Sequence, residues 1–266
     1  DETICVGGTP SKIVNVTLPT GGDASLAIEY LWLQTVSLTN GVCPQNIVGQ
    51  NLYSPIPNTN TAEYQPGAIT QTTCYIRCSR RAGCTDYISG ESNIVKKTVE
   101  TAPNAPTTTP AAICGTGTVT LGATCSTGTA TWYSSATGGA SIATGASFIT
   151  PSLTATTSYF VSCKSTAGCE SGRTEVKATI NLIPTAPTVK PSAICGTGTV
   201  ELGAICTVGT PQWYAASTGG VSIATGASFT TPSISVTTTY YVSCKTTEGC
   251  ESGRTPVTAT VNPIPN

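Results

Sequence analysis

The chain is predicted to be all-β, built as three β-sandwich units in series, and three observations predict it. Residues 104–184 and 185–265 repeat one another: Cys114, Cys125, Trp132, Cys163 and Cys169 recur 81 positions later as Cys195, Cys206, Trp213, Cys244 and Cys250, with most positions between them identical and no insertion. Self-similarity at a fixed period marks an array of one repeated unit. Apolar residues alternate with polar ones over short runs, as half-buried strands require, and no run of ten or more residues has the 3.6-residue spacing of a helix. Gly, Pro and Thr-Gly pairs punctuate those runs at turn positions.

In the first repeat, Val119, Leu121, Ala123 and Cys125 fall on one face of a strand over 118–125, and Thr118, Thr120, Gly122 and Thr124 on the other. Trp132 lies on the next strand. Thr137-Gly138-Gly139 and Thr144-Gly145 mark tight turns around a short hairpin containing Ile142, and Phe148 begins a strand ended by Pro151. Tyr159, Val161 and Cys163 share an inward face, and Val176, Ala178 and Ile180 alternate along a last strand. Cysteine, tryptophan and cysteine on three core strands is the pattern of an immunoglobulin sandwich, whose Trp packs on a bridge between the sheets. Cys125 is therefore paired with Cys163, and Cys206 with Cys244. Elimination then pairs Cys114 with Cys169, and Cys195 with Cys250. The expected domains are 1–103, divergent and immunoglobulin-like, 104–184 and 185–266.

The 266 residues carry a net charge of −1, and only 9% are charged. That is far below the roughly 25% of an average soluble chain, and no basic stripe is present to hold nucleic acid. Arg77, Arg80 and Arg81 read as a solvated strand and turn. The absence of histidine removes the commonest general base and metal ligand. The cysteine spacings of 11, 38 and 6 in each repeat are not those of a zinc ribbon. Asp1, Asp23 and Asp86 all lie outside the repeats, which disfavours calcium. No cofactor is expected. Thirteen cysteines point to structural disulfides in an oxidising, extracellular compartment. No run of 18 apolar residues predicts a membrane span.

Candidate chemistry is sparse. Glu170, Glu175 and Glu251 read as strand-end charges, since Pro256 stands at the position of Glu175 in the second repeat. A carbonyl or carboxylate partner is enough for Arg173 and Arg254. Tyr133 and Tyr214 follow the core tryptophans and are expected to face outward, where they could meet a sugar or protein ligand. Asn15-Val16-Thr17 is a glycosylation sequon on an expected strand over Lys12–Leu18.

The ordered motifs Ile113-Cys114-Gly115-Thr116-Gly117-Thr118-Val119, Trp132-Tyr133, Thr137-Gly138-Gly139, Ser147-Phe148, Thr156-Thr157-x-Tyr159-x-Val161 and Gly168-Cys169-Glu170-Ser171-x-Arg173-Thr174 resemble the bacterial immunoglobulin-like tandem repeats of Bacteroidetes secreted surface proteins, including gliding adhesins exported by type IX secretion. The resemblance covers nearly all of 104–265. It implies an extracellular, non-enzymatic role in a cell-surface adhesin or filament, with self-association or neighbouring repeats as partners. The outer cysteines Cys114 and Cys169 match cysteines common in that family, and Cys125–Cys163 is an addition to it.

Residues 1–103 are similar to the PKD-like modules of the same proteins. Ile4-Cys5 matches the opening of the repeats, and Cys78-x5-Cys84 matches Cys163-x5-Cys169. The likeness pairs Cys5 with Cys84. One of Cys74 and Cys78 joins Cys43, and the remaining cysteine is either a free thiol or a bond to another chain. If recognition occurs, this divergent segment is its expected seat. A ligand-binding tip, or a spacer for a catalytic domain elsewhere, is the alternative function. The Pro-punctuated junctions 101–106 and 181–187 are expected to be stiff, giving a rod. Asn266 matches Thr185, one residue into a further repeat, as in a fragment of an array or a protomer abutting its own copy.

Overall fold

The computed structural model describes residues 1–45, 51–84 and 91–265; Asp86 and Asn266 lie outside them. The strands are β1 (Glu2–Cys5), β2 (Ile28–Thr35), β3 (Ser54–Pro55), β4 (Thr73–Arg81), β5 (Val95–Glu100), β6 (Thr107–Thr109), β7 (Ala111–Cys114), β8 (Thr120–Thr124), β9 (Thr129–Tyr133), β10 (Ala143–Thr144) and β11 (Ser147–Ile149). They continue as β12 (Thr157–Lys164), β13 (Thr174–Asn181), β14 (Thr188–Lys190), β15 (Ser192–Cys195), β16 (Glu201–Ile205), β17 (Thr210–Tyr214), β18 (Ala224–Thr225), β19 (Ser228–Thr230), β20 (Thr238–Lys245) and β21 (Thr255–Asn262). Among the described residues there is no helix. The chain is all-β, with immunoglobulin-like sandwiches in tandem.

Two compact units divide it. The first comprises Asp1–Thr108, Ala123–Ala146 and Phe160–Glu175; the second comprises Thr109–Gly122, Ser147–Tyr159 and the chain from Val176 onward. The second unit contains the whole last sandwich. Its five-stranded sheet has the order β15-β21-β20-β17-β18, and its three-stranded sheet the order β14-β16-β19. Leu202 and Ala204 alternate inward along β16, and Val257 and Ala259 along β21. They meet Trp213, Phe229 and Val242 in one continuous core. Removing side chains of this size from water stabilises by about 1.5–3 kcal/mol each. The indole N–H of Trp213 donates to the Gly226 carbonyl at 2.9 Å, so the core holds no orphaned donor there.

The first repeat has the same local register, with Trp132 opposite Val161 as Trp213 is opposite Val242. Each repeat's opening strand runs parallel to its last, placing Cys114 beside Asn181 and Cys195 beside Asn262. Gly128 and Gly209 are required where they stand. Each has positive φ (80° and 84°), and a Cβ would meet the Lys164 or Lys245 carbonyl oxygen at 2.5 Å.

Residues 1–103 differ. Their five strands form one sheet, β1-β5-β4-β2-β3, again with a parallel β1·β5 pair. The expected strand over Lys12–Leu18 is absent. Only Ile13 pairs, with Tyr64, while Val14, Val16 and Leu18 face solvent. Trp32 lies on β2 as expected and donates to the Thr61 carbonyl at 2.9 Å.

Candidate functional site

Cysteines are the residues through which this chain builds something that its strands alone would not. Cys125 is joined to Cys163, and Cys206 to Cys244, each spanning 38 residues. The second links the end of β16 to β20, and so one sheet of the last sandwich to the other. Constraining a loop of that length stabilises by about 4 kcal/mol in the chain-entropy picture.

The other pairs overturn the expectation of closure within each repeat. Cys114 is joined to Cys250, not Cys169. Cys169 is joined to Cys5, so Cys5 is not paired with Cys84. Cys195, expected on Cys250, is free and exposed, as is Cys84. The rule is a shift: the opening cysteine of one segment bonds the turn cysteine of the next, 164 residues on in one case and 136 in the other. The physical reason is strand direction. In Ala111–Cys114 the residues alternate half-buried and exposed, which puts Ile113 inward and Cys114 outward, away from its own repeat. The turn cysteines are held alike. Gly83, Gly168 and Gly249, each preceding one, have φ of 87°, 89° and 89°. Cys169 and Cys250 are buried with their bonds formed, at 1% and 0% exposure.

In the first segment Cys74 is the cysteine joined to Cys43. Cys78 stands one residue past the β4 partner of Trp32, whereas Cys163 stands two past the β12 partner of Trp132, so Cys78 lies on the face away from its tryptophan and stays a free thiol at 2% exposure. Burial and then the charge of Glu91 push its pKa up to about 11. A thiol so reluctant to ionise is a poor nucleophile.

Tyr133 and Tyr214 are not outward-facing contacts. Both are 5% exposed, because the guanidinium of Arg173 lies 3.3 Å over the first ring and that of Arg254 3.3 Å over the second. Arg173 also donates to the carbonyls of Ser135 and Gly138 at 2.8 and 2.7 Å. Arg254 does the same to Ala216 and Gly219 at 2.7 and 2.8 Å. Tyr214 donates to Glu251 at 2.7 Å, and Ser243 donates to the same oxygen at 2.5 Å. Burial opposes the Glu251 charge, but the Ser243 and Tyr214 hydrogen bonds with Lys245 and Arg254 outweigh it, and the carboxyl sits below its ordinary range. Burial and the Glu251 contact hold the Tyr214 hydroxyl above its own. This is a covering latch, with no face left for a sugar.

Arg77 is likewise not solvated. It is 7% exposed and donates to Asn15 Oδ1 at 2.5 Å and to the Ala62 carbonyl at 3.0 Å. Its Nε is buried without a hydrogen-bond partner. It lines a groove of about 970 Å³ in the first segment with Ile13, Trp32, Arg81 and Cys84. Arg80 is paired with Glu29 at 2.7 Å, and Arg81 donates to the Gly21 and Leu26 carbonyls. Among the described residues no three Cys, Asp or Glu side chains converge as a metal set.

Sandwich units stapled by cystines, with no helix among the described residues long and apolar enough to cross a membrane, define a disulfide-linked array of immunoglobulin-like domains. The family model described as "Ig-like domain CHU_C associated" matches residues 103–181 and 184–263. Together these are more than half of the chain, and it belongs to that family. No curated protein matches the sequence. Among solved structures, the fibronectin(III)-like modules of Clostridium thermocellum CbhA are similar, at 13% identity and TM-score 0.41, covering 59% of this chain and 94% of that one. Extracellular domains 3–5 of Drosophila OTK match at 10% identity and TM-score 0.34, covering 98% and 95%. The FN1–FN3 domains of chicken CNTN1 match at 10% identity and TM-score 0.35, covering 90% and 91%.

Proposed function

We propose that the chain is an extracellular structural protein without catalytic activity, a cystine-stapled series of immunoglobulin-like domains that forms part of a cell-surface adhesin or filament, as the Bacteroidetes repeats it resembles do. One observation carries this: Cys5–Cys169 and Cys114–Cys250 tie each segment to the next rather than to itself. A binding scaffold is served by bonds inside each domain. Bonds that run between domains resist separation of the series under load. Such bonds are characteristic of an oxidising compartment.

Non-reducing peptide mapping of the native material tests it, combined with surface labelling and electron microscopy of the producing cells. Both linking cystines should be present on protein accessible to a membrane-impermeant label. Fully reduced cysteines on protein inside the cell would sink the proposal.

A second function is favoured by the groove in the first segment, where Arg77 offers an unpaired buried N–H. It is that of a binding tip for an anionic or hydroxyl-rich ligand such as an acidic saccharide. A glycan array probed with the full chain, free of hits, removes it.

A further inference from the structure

We infer that three cystines of this chain join in series into one covalent line that carries tension from Cys5 to Cys250 at nearly fixed length, so that under load the array is a tether and not a spring. The inference rests on the structural role proposed above and adds what that structure does when it is pulled.

Each bridge by itself closes a loop, and their order along the chain joins them. Tension entering at Cys5 crosses to Cys169. From Cys169 the chain runs back six residues to Cys163, which is bonded to Cys125. From Cys125 it runs back eleven residues to Cys114, which is bonded to Cys250. The route takes three cystines and seventeen residue steps, whereas the main chain between the same two cysteines takes 245. An extended residue spans about 3.3–3.6 Å, and the bridges have Cα–Cα distances of 5.3, 5.7 and 5.4 Å. The line is therefore fully stretched at about 75 Å, against about 840 Å for the main chain. A covalent network under tension extends until its shortest path is taut, and every longer path stays slack.

The two peptide runs on the line hold little hidden length. Cys163 and Cys169 flank a tight turn closed by the Lys164–Glu170 bridge. Across it the Ser165 N–H donates to the Cys169 carbonyl at 2.8 Å, and the Ser171 N–H to the Cys163 carbonyl at 2.9 Å. The run between Cys114 and Cys125 contains β8, whose backbone is already extended. Rupture of a sandwich under load therefore releases only what these short runs contain. Residues 6–113, 126–162 and 170–249 lie off the line, and their backbone carries no end-to-end tension once it is taut. The groove of the first segment falls in the first of these stretches.

Place in the network, and not the kind of bridge, decides which cystine bears load. Cys125–Cys163 and Cys206–Cys244 each span 38 residues at a Cα–Cα distance of 5.7 Å, in equivalent positions of the two repeats. The first is a link in the line. The second closes a ring within 170–249, as Cys43–Cys74 does within 6–113, and opening either leaves the shortest route unchanged. Opening Cys125–Cys163 instead lengthens the route from Cys169 to Cys114 from seventeen residue steps to 55. That is a gain of about 130 Å when stretched.

The test stretches the full chain between handles at its two ends by single-molecule force spectroscopy. It is run at about pH 6, where free thiols stay protonated and do not attack the bridges. The cystines of the same preparation are mapped by non-reducing digestion. The unreduced chain should stop extending at the short line, and a phosphine reductant should then let its end-to-end limit grow about sixfold. Cys125→Ser with Cys163→Ser should raise the unreduced limit by about 130 Å. Cys206→Ser with Cys244→Ser, which removes a bridge of the same span from a nearly identical repeat, should leave the limit where it was. An unreduced chain that reaches the reduced length, or equal shifts in the two double variants, overturns the inference. If the digest shows Cys5–Cys169 and Cys114–Cys250 while the unreduced chain passes the short limit, the tether falls and the structural role stands. If it shows neither bridge, both fall.

Discussion

The first segment and the last sandwich solve one problem with different means. Each places a tryptophan on the fourth strand of a five-stranded sheet and satisfies its indole N–H with a distant backbone carbonyl, Thr61 for Trp32 and Gly226 for Trp213. In the last sandwich a second sheet closes over that tryptophan, and the buried residues form one cluster. In the first segment the facing layer is irregular chain, tied by the Ile13–Tyr64 bridge and by backbone bonds of Gly7 and Gly8 with Ile69. Its buried residues fall into two small clusters, one around Trp32 and Tyr75 and another around Tyr53 and Ile76. The cystines follow the difference. Where a strand faces the buried β20 cysteine, as around Cys206, the bond joins the two sheets. In the first segment Cys78 lies on the face of β4 away from Trp32 and stays a thiol, and the local staple is Cys43–Cys74. The face of the strand on which a cysteine falls decides which layer it can staple.

The largest effect should come from the tryptophans themselves. Trp213→Ala is expected to cost about 4–5 kcal/mol and Trp32→Ala about 3 kcal/mol, measured by denaturant unfolding of the full chain. Equal losses would break the contrast between a continuous core and a divided one.

Next come the staples. Cys206→Ser with Cys244→Ser should cost about 2–4 kcal/mol, and Cys43→Ser with Cys74→Ser a similar amount, because the closed loops are of comparable length. The two double variants should unfold in different parts of the chain when followed by hydrogen exchange. A loss confined to one of them would show that only one domain depends on its cystine.

Smaller again, Arg254→Ala should cost about 1–2 kcal/mol and expose the Tyr214 ring, seen as a red-to-blue change in tyrosine absorbance on solvent perturbation. An unchanged spectrum would mean that the guanidinium does not cover the ring in solution.

The smallest effect is a dependence on pH. The Glu251 carboxyl lies below its ordinary range in the fold, so its stabilising contribution is complete above about pH 4.5 and is lost as pH falls through the lower, folded value. Glu251→Gln should flatten that acid limb of the stability profile. A limb of unchanged slope would assign the acid sensitivity to other carboxyls.

Much of the fold was legible because two-residue alternation reports directly which face a side chain takes. Val119, Leu121 and Ala123 are buried on β8 and its approach, as are Tyr159, Val161 and Cys163 on β12, where the pattern puts them. The Cys125 and Cys206 pairings were legible for the same reason. The linking cystines were not, because repetition hides them. When every repeat carries an opening and a turn cysteine, closure within a repeat and closure onto the next produce the same sequence. The signal that separates them lay in one strand: Ile113 turned inward leaves Cys114 outward. Tyr133 and Tyr214 misled for a different reason. Alternation places them on the face away from the core tryptophan, but cannot foresee Arg173 and Arg254 folding over that face from residues 40 positions later. Val14, Val16 and Leu18 alternate like a strand and lie in solvent, since alternation cannot supply a partner strand.

The two linking bridges also overlap along the chain. One closes residues 5–169 and the other residues 114–250, so every peptide bond between Cys5 and Cys250 lies inside at least one covalent ring. A single cut by a protease anywhere in that span opens a ring but parts nothing, and the fragments separate only when a reductant is added. The pieces left by such a cut are thus held together by the connectivity of the chain, independently of how tightly any one domain is folded.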